Sequence, residues 1–300
     1  MMEEIIVIVG ATASGKTRLA IDLAKEFDAE IVSADSMQIY KGMDIGTAKP
    51  TKEEQSEAVH HMIDVCPVTA SFSTKDYVTG AEKAIADIRK RGKNVIVAGG
   101  TGMYTDALMG RMSLDAPKSD EKVRSELTQI YENEGIDALY EIFLREAESE
   151  KERIHKNDVK RIMRAIERSR SGWTENQKKC DKKYKSLWFA LDIERNKLYN
   201  RIDSRVDKMF QDGLVSEVEQ VLLPVRDICT TSLQGIGYKE VLDYLDNNLT
   251  LEEAKELIKK RSRNYAKRQL TWFRRNKDIQ WLSCFDAFNL AKNIIQKEGF

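Results

Sequence analysis

The chain has 300 residues, 41% hydrophobic and 33% charged, which suffices for one large domain or two smaller ones beneath a heavily charged surface. Its 49 Lys and Arg balance 49 Asp and Glu, and no apolar run approaches the length of a membrane-spanning helix, so an integral membrane protein is excluded. The four cysteines are scattered and the three histidines share no metal-ligand spacing, which excludes a zinc module and points to reduced thiols in a cytoplasmic protein.

The opening MMEEIIVIVG reads as a core strand over 4–9 rather than a signal sequence. It runs directly into GATASGKT (10–17), followed by apolar residues Leu19, Ala20, Leu23 and Ala24 at helical spacing. Strand, glycine-rich loop and helix in that order define a phosphate-binding P-loop. Gly10 and Gly15 allow the tight turn, and the backbone N–H groups from Ala11, Thr12, Ala13 and Ser14 onward face the phosphates. Lys16 supplies charge to the outer phosphate, and the Thr17 hydroxyl is the candidate ligand for Mg²⁺.

After a helix over 16–27, a second strand over 29–34 ends at Asp35-Ser36-Met37-Gln38. A carboxylate at that strand end is placed for a general base or a magnesium partner; the competing reading is a helix N-cap at Asp35 or Ser36. Helices are expected over 51–59 and 74–91 and a strand over 93–98, which ends in Gly99-Gly100-Thr101-Gly102. An NTP hydrolase usually ends such a strand with Asp. Thr101 offers a neutral hydroxyl instead, suited to a phosphate oxygen or to a simple turn. These alternating elements predict an α/β fold with a parallel, P-loop NTPase-like sheet.

From 114 to 186 the pattern becomes helical and charge-dense, an insertion between the third and fourth strands. Val159, Ile162, Met163 and Ile166 repeat at helical spacing, with Lys160, Arg161, Arg164 and Arg168 on other faces. A strand over 186–191 and helices over 194–222, 237–246 and 251–274 follow, giving a catalytic core of 1–113 and 187–300. Arg201 and Arg205 sit four apart among Asp203 and Asp207, as either a phosphate clamp or a local ion-pair ladder. Charge is uneven: Lys151 to Lys185 holds 13 basic against 5 acidic residues, and Lys255 to Lys277 holds 10 against 1. Two basic blocks with nearby aromatics suggest a polyanion surface, against the plainer reading of solvated helix faces.

Seven segments, in order and spanning nearly the whole chain, resemble the tRNA dimethylallyltransferase family of bacterial type: GATASGKT (10–17), DSMQIYKGMDIGTAKP (35–50), HHMID (60–64), GGTGMY (99–104), HKNDVKRIMRAIE (155–167), GIGYKE (235–240) and AKRQLTWFRR (266–275). The resemblance implies that the P-loop holds the diphosphate of dimethylallyl diphosphate, with Mg²⁺ assisting. The acceptor would be N6 of the adenine at position 37 of tRNAs that read codons beginning with U. It implies Asp35 as base and anchor for N6, Thr101 as a phosphate hydrogen-bond partner, and Lys16 and Arg205 as phosphate contacts. The implied tRNA contacts are Asp35, Ser36, Met37, Gln38, Thr101, Arg124, Lys160, Arg161, Ile162, Met163, Arg164, Gln234 and Lys239. Gln234 departs from the arginine that many family members carry there. A monomer acting on the anticodon stem-loop is expected. The rival readings are a small-molecule kinase, which leaves the basic blocks and insertion unexplained, and an RNA-binding ATPase, disfavoured by the missing strand-end Asp.

Overall fold

The computed structural model describes residues 4–117, 120–173, 183–229 and 231–299. Its first half alternates strand and helix: β1 (Glu4–Val9), α1 (Lys16–Glu26), β2 (Ala29–Ser33), α2 (Lys52–Glu57), β3 (His60–His61), α3 (Thr74–Lys90), β4 (Asn94–Gly99) and α4 (Gly102–Leu108). Two long helical segments follow, α5 (Glu121–Glu146), interrupted at Gly135, and α6 (Val159–Arg170). The chain then returns through β5 (Lys185–Asp192), α7 (Arg195–Gln211), α8 (Leu214–Val221), α9 (Tyr238–Leu245), α10 (Leu251–Phe273), β6 (Ile279–Ser283) and α11 (Ala287–Glu298).

Among the described residues, six strands form one parallel sheet in the order β3-β2-β4-β1-β5-β6. Parallel strands buried on both faces read as continuous apolar runs, and β1 is buried from Ile5 to Val9. On one side, α1 and α11 pack Leu19, Leu23, Ala291 and Ile295 against Ile6, Ile8, Ile96 and Phe189. A second cluster joins Ile39, Tyr40 and Met43 to Val206, Leu214, Val218, Tyr238 and Ile258.

The chain divides into two compact units, Met1–Met112 with Asp181–Phe300, and Ser113–Cys180. The second unit has its own core, in which Leu127, Leu139 and Phe143 of α5 meet Ile162, Ala165 and Ile166 of α6. The strand after it starts earlier than the sequence boundary at 186, because Lys185 and Ser186 already pair with Glu4 and Ile5. The second unit follows the fourth strand and precedes the fifth, one later than expected. The extra strand is β3, two histidines opposite Ile31 and Val32 that carry no apolar signature. The stretch expected as one helix over 194–222 is two, α7 and α8, parted at Asp212 and Gly213. β6 and α11 had no counterpart in the sequence reading, although Ala287, Ala291 and Ile295 recur every four residues on one buried face.

Candidate active site

The carboxyl ends of β1, β2 and β4 deliver three loops to one place, as parallel sheets of this kind do. At β1 the P-loop leads into α1. Gly15, at φ +98°, is the helix N-cap, and no side chain caps the helix. The first N–H groups of α1 are therefore left for an anion, reinforced by the helix dipole. Thr12, Lys16 and Thr17 line a cavity of about 330 Å³. Ala11 and Ala13 do not contribute their side chains; both methyls pack with Leu198, Ile202 and Ala266. Nor is every loop amide free for phosphate as expected: the Thr12 N–H donates to Gln269 Oε1 at 2.8 Å and the Ser14 N–H to the Ala11 carbonyl at 3.3 Å.

Lys16, half-buried, and Arg205, exposed as a whole residue, both line this cavity. Burial lowers the Lys16 pKa to about 8, an effect that Asp35 opposes and Arg205 reinforces. Desolvation of its guanidinium end likewise pulls Arg205 below its usual value, although the residue as a whole is exposed. Two like charges on one cavity wall, one of them half-buried, favour an anion between them. Lys16 is charged below about pH 8 in the free protein, and a bound diphosphate raises its pKa again. The dissociation constant for dimethylallyl diphosphate is expected to rise above pH 8, approaching tenfold per pH unit. Titration calorimetry from pH 7 to 9.5 checks this, and a flat profile would detach Lys16 from diphosphate binding.

Arg201 and Arg205 do not form the local ladder that their spacing allowed. Asp203 pairs with Arg263 at 2.5 Å and Asp207 with Lys259 at 2.9 Å, both from α10. Arg205 is thereby left to the cavity, while Arg201 reaches the Ser14 carbonyl at 3.4 Å.

At the end of β2, Asp35 lines the cavity, and its Oδ1 accepts the N–H of Met37 at 2.9 Å and of Gln38 at 3.4 Å. This turn caps no helix. It fixes one carboxylate oxygen, and among the described residues the other has no hydrogen-bond partner. Ser36, Met37 and Gln38 share the cavity wall. Gln38 is held on three sides, by Ser33 and by the carbonyls of Thr47 and Ala48. The loop 44–49 behind it is fastened by Lys49, buried between Asp44 and Asp64 at 2.6 Å each, and by Glu217, which accepts the N–H groups of Asp44, Ile45 and Gly46. Gln234 also faces the cavity; Lys239 is exposed and does not line it.

At the end of β4, Thr101 is not among the cavity-lining residues. Its Oγ1 accepts the Ser36 N–H at 3.0 Å and lies 3.3 Å from Ser36 Oγ, with Tyr265 beside it. Tyr265, Arg268 and Gln269 of α10 complete the wall. The sequence reading missed them because it treated the basic α10 as polyanion surface. The available signal was Tyr265 and Gln269 one turn apart, on a helix otherwise full of Lys and Arg.

In the helical unit, the residues expected to touch tRNA differ in availability. Lys160 and Arg161 are exposed on α6. Ile162 is fully buried in the core of that unit, so its side chain offers no contact, and Met163 packs against the same core. Arg124 (2.7 Å) and Arg164 (3.1 Å) both pair with buried Glu167, and Arg164 also reaches the Pro117 carbonyl. Much of the basic excess is thus spent inside the fold, with Arg168 on Glu150 and Arg170 on Glu126 and Glu146 as further cases.

Residues 38–276 match the family described as IPP transferase. The chain belongs to this family. It is 41% identical to tRNA dimethylallyltransferase 2 of Geotalea daltonii, over 98% of this chain and 92% of the relative, and 43% identical to the protein of the same name in Geotalea uraniireducens, over 98% and 96%. The tRNA isopentenylpyrophosphate transferase of Bacillus halodurans superposes with a TM-score of 0.73 at 39% identity, covering 98% of this chain and 96% of that one. A eukaryotic dimethylallyltransferase whose crystallographic snapshots show it acting on tRNA gives 0.76 at 28% identity, covering 98% and 78%. The family's P-loop core agrees with the α/β fold read from the sequence, and the comparisons give the kinase reading no support. This is a prenyltransferase family. Among the described residues no helix is long and apolar enough to cross a membrane.

Proposed function

We propose that this cavity transfers a dimethylallyl group from dimethylallyl diphosphate to N6 of the adenine at position 37 of tRNAs reading codons that begin with U, releasing pyrophosphate. The observation that carries the reading is the pair of cations, Lys16 and Arg205, lining the same cavity as the single fixed carboxylate of Asp35. The cations and the free N–H groups of α1 hold the diphosphate and stabilise its charge as the allylic C1–O bond breaks. The exocyclic amine is a weak nucleophile, and Asp35 accepts its proton as the new N6–C1 bond forms. Ser36 and Thr101 brace the loop that carries Asp35. The helix-terminal Thr17 suits Mg²⁺, and no cluster of three or more His, Cys, Asp or Glu competes among the described residues. This is the donor set of an ion held largely by diphosphate and water, whose chemistry when bound is charge neutralisation on the leaving group.

An adenine stacked in an anticodon loop reaches such a cavity only when flipped out, at a cost of a few kcal/mol that phosphate contacts offset. Lys160 and Arg161 are the exposed cations of α6 suited to this. Their replacement by Gln is expected to weaken tRNA binding and to reduce the slope of log K against log salt by roughly 0.7 to 0.9 per lost contact. Filter binding over a salt series reads this, and an unchanged slope places the RNA elsewhere. Arg164 is a poorer probe, because its loss also exposes Glu167. The site of transfer is tested with labelled dimethylallyl diphosphate and matched tRNA transcripts carrying A or G at position 37. Label is expected only with A37; equal incorporation into both would refute the assignment.

A further inference from the structure

Gln269 is the side chain that joins the two halves of the cavity. It is buried on α10, with 5% of its surface exposed, and both ends of its amide are used. Oε1 accepts the Thr12 N–H of the P-loop at 2.8 Å, and Nε2 donates to the Gly100 carbonyl beside Thr101 at 2.8 Å. One planar amide therefore spans the exits of β1 and β4. The fit is close: a Cβ on Gly100 would stand 2.3 Å from Gln269 Nε2, and Gly100 does not have a left-handed backbone, so a methyl there would act by displacing the amide. One turn earlier on the same helix, Tyr265 lies beside both Thr101 and Gln269.

We propose that Gln269 is a positioning residue, a fixed-length clasp that sets the separation between the diphosphate-holding P-loop and the Asp35–Thr101 corner. The inference rests on the prenyl-transfer reading. The electrophilic carbon is covalently attached to the diphosphate, so its place is set by the P-loop. The acceptor nitrogen is placed by Asp35. The distance between the two loops is then the distance across which the new bond forms, and an error of about 1 Å there costs on the order of 10²-fold in rate. The amide touches neither reacting atom; it acts through the Thr12 and Gly100 backbones.

The test is a double-mutant cycle on the full chain, read as the single-turnover rate of prenyl transfer alongside dissociation constants for dimethylallyl diphosphate and tRNA. Gln269→Ala and Gly100→Ala are each expected to slow the chemical step about 10- to 100-fold. Both dissociation constants should stay within about threefold of wild type, a separation that general unfolding would not give. In the Gln269→Ala background the Gly100 methyl has nothing to strike, so Gly100→Ala should add little further loss. Gln269→Leu, which fills the space without either hydrogen bond, should behave as Gln269→Ala and guards against simple collapse. An unchanged single-turnover rate in Gln269→Ala, or full additivity of the two changes, would overturn the clasp. A wild-type chain that transfers no prenyl group to tRNA would instead overturn the reading on which the clasp rests.

Discussion

Replacing Asp35 by Asn is expected to lower the single-turnover rate of prenyl transfer by about 10²- to 10⁴-fold while leaving tRNA affinity nearly unchanged. The substitution is chosen for what it keeps. Asp35 Oδ1 accepts two backbone N–H groups, from Met37 and Gln38, and an amide oxygen can accept the same pair. The loop that presents Ser36, Met37 and Gln38 should therefore hold its shape. The carboxylate's capacity to take a proton is removed. So is the anion that partly offsets Lys16, and a modest further fall in the Lys16 pKa should accompany it. Rapid-quench kinetics with saturating tRNA separates binding from chemistry. A variant with the wild-type single-turnover rate would exclude Asp35 as the base.

The second large effect is expected at Lys16. Lys16→Met preserves length and volume in a half-buried position but deletes the charge that faces the leaving diphosphate. Removing one preorganised contact to developing charge costs about 2.7 to 4 kcal/mol, or 10²- to 10³-fold. Loss of diphosphate affinity should add to this in kcat/KM. Stability should move the other way. Lys16 is held below its ordinary pKa by burial, so its charged form costs free energy in the ligand-free fold at neutral pH. Its neutral replacement should then melt at the same temperature or higher. A variant that loses activity and stability together would mean that Lys16 is structural.

Much of the catalytic unit was legible because its signals are local. A P-loop is eight consecutive residues whose backbone and side chains act together, and β1, β2 and β4 are short apolar runs. Asp35 and Thr101 stand out in the sequence because each lies just past a strand end; the structure puts Asp35 on the cavity wall and leaves Thr101 off it. What escaped were groups whose role depends on long sequence separation. Gln269 meets Thr12 across 257 positions and Gly100 across 169. Nothing in either neighbourhood announces the partner. The same applies to Asp203 and Asp207, whose spacing suited Arg201 and Arg205 but whose partners come from α10. Basic residues misled for a related reason. Counting charge along α6 takes no account of buried Glu167, which engages Arg124 and Arg164. The short β3 has no local apolar signature, whereas the break between α7 and α8 has a local one, the left-handed Gly213.

In the proposed reaction the phosphates in the P-loop leave together and none of them is transferred. Dimethylallyl diphosphate labelled separately in the prenyl group and in the terminal phosphate tests this directly with unmodified tRNA. The prenyl label is expected in the RNA at one equivalent per pyrophosphate released, with all the phosphate label in intact pyrophosphate. Phosphate label in the RNA, or release of single phosphate without prenylated tRNA, would contradict it.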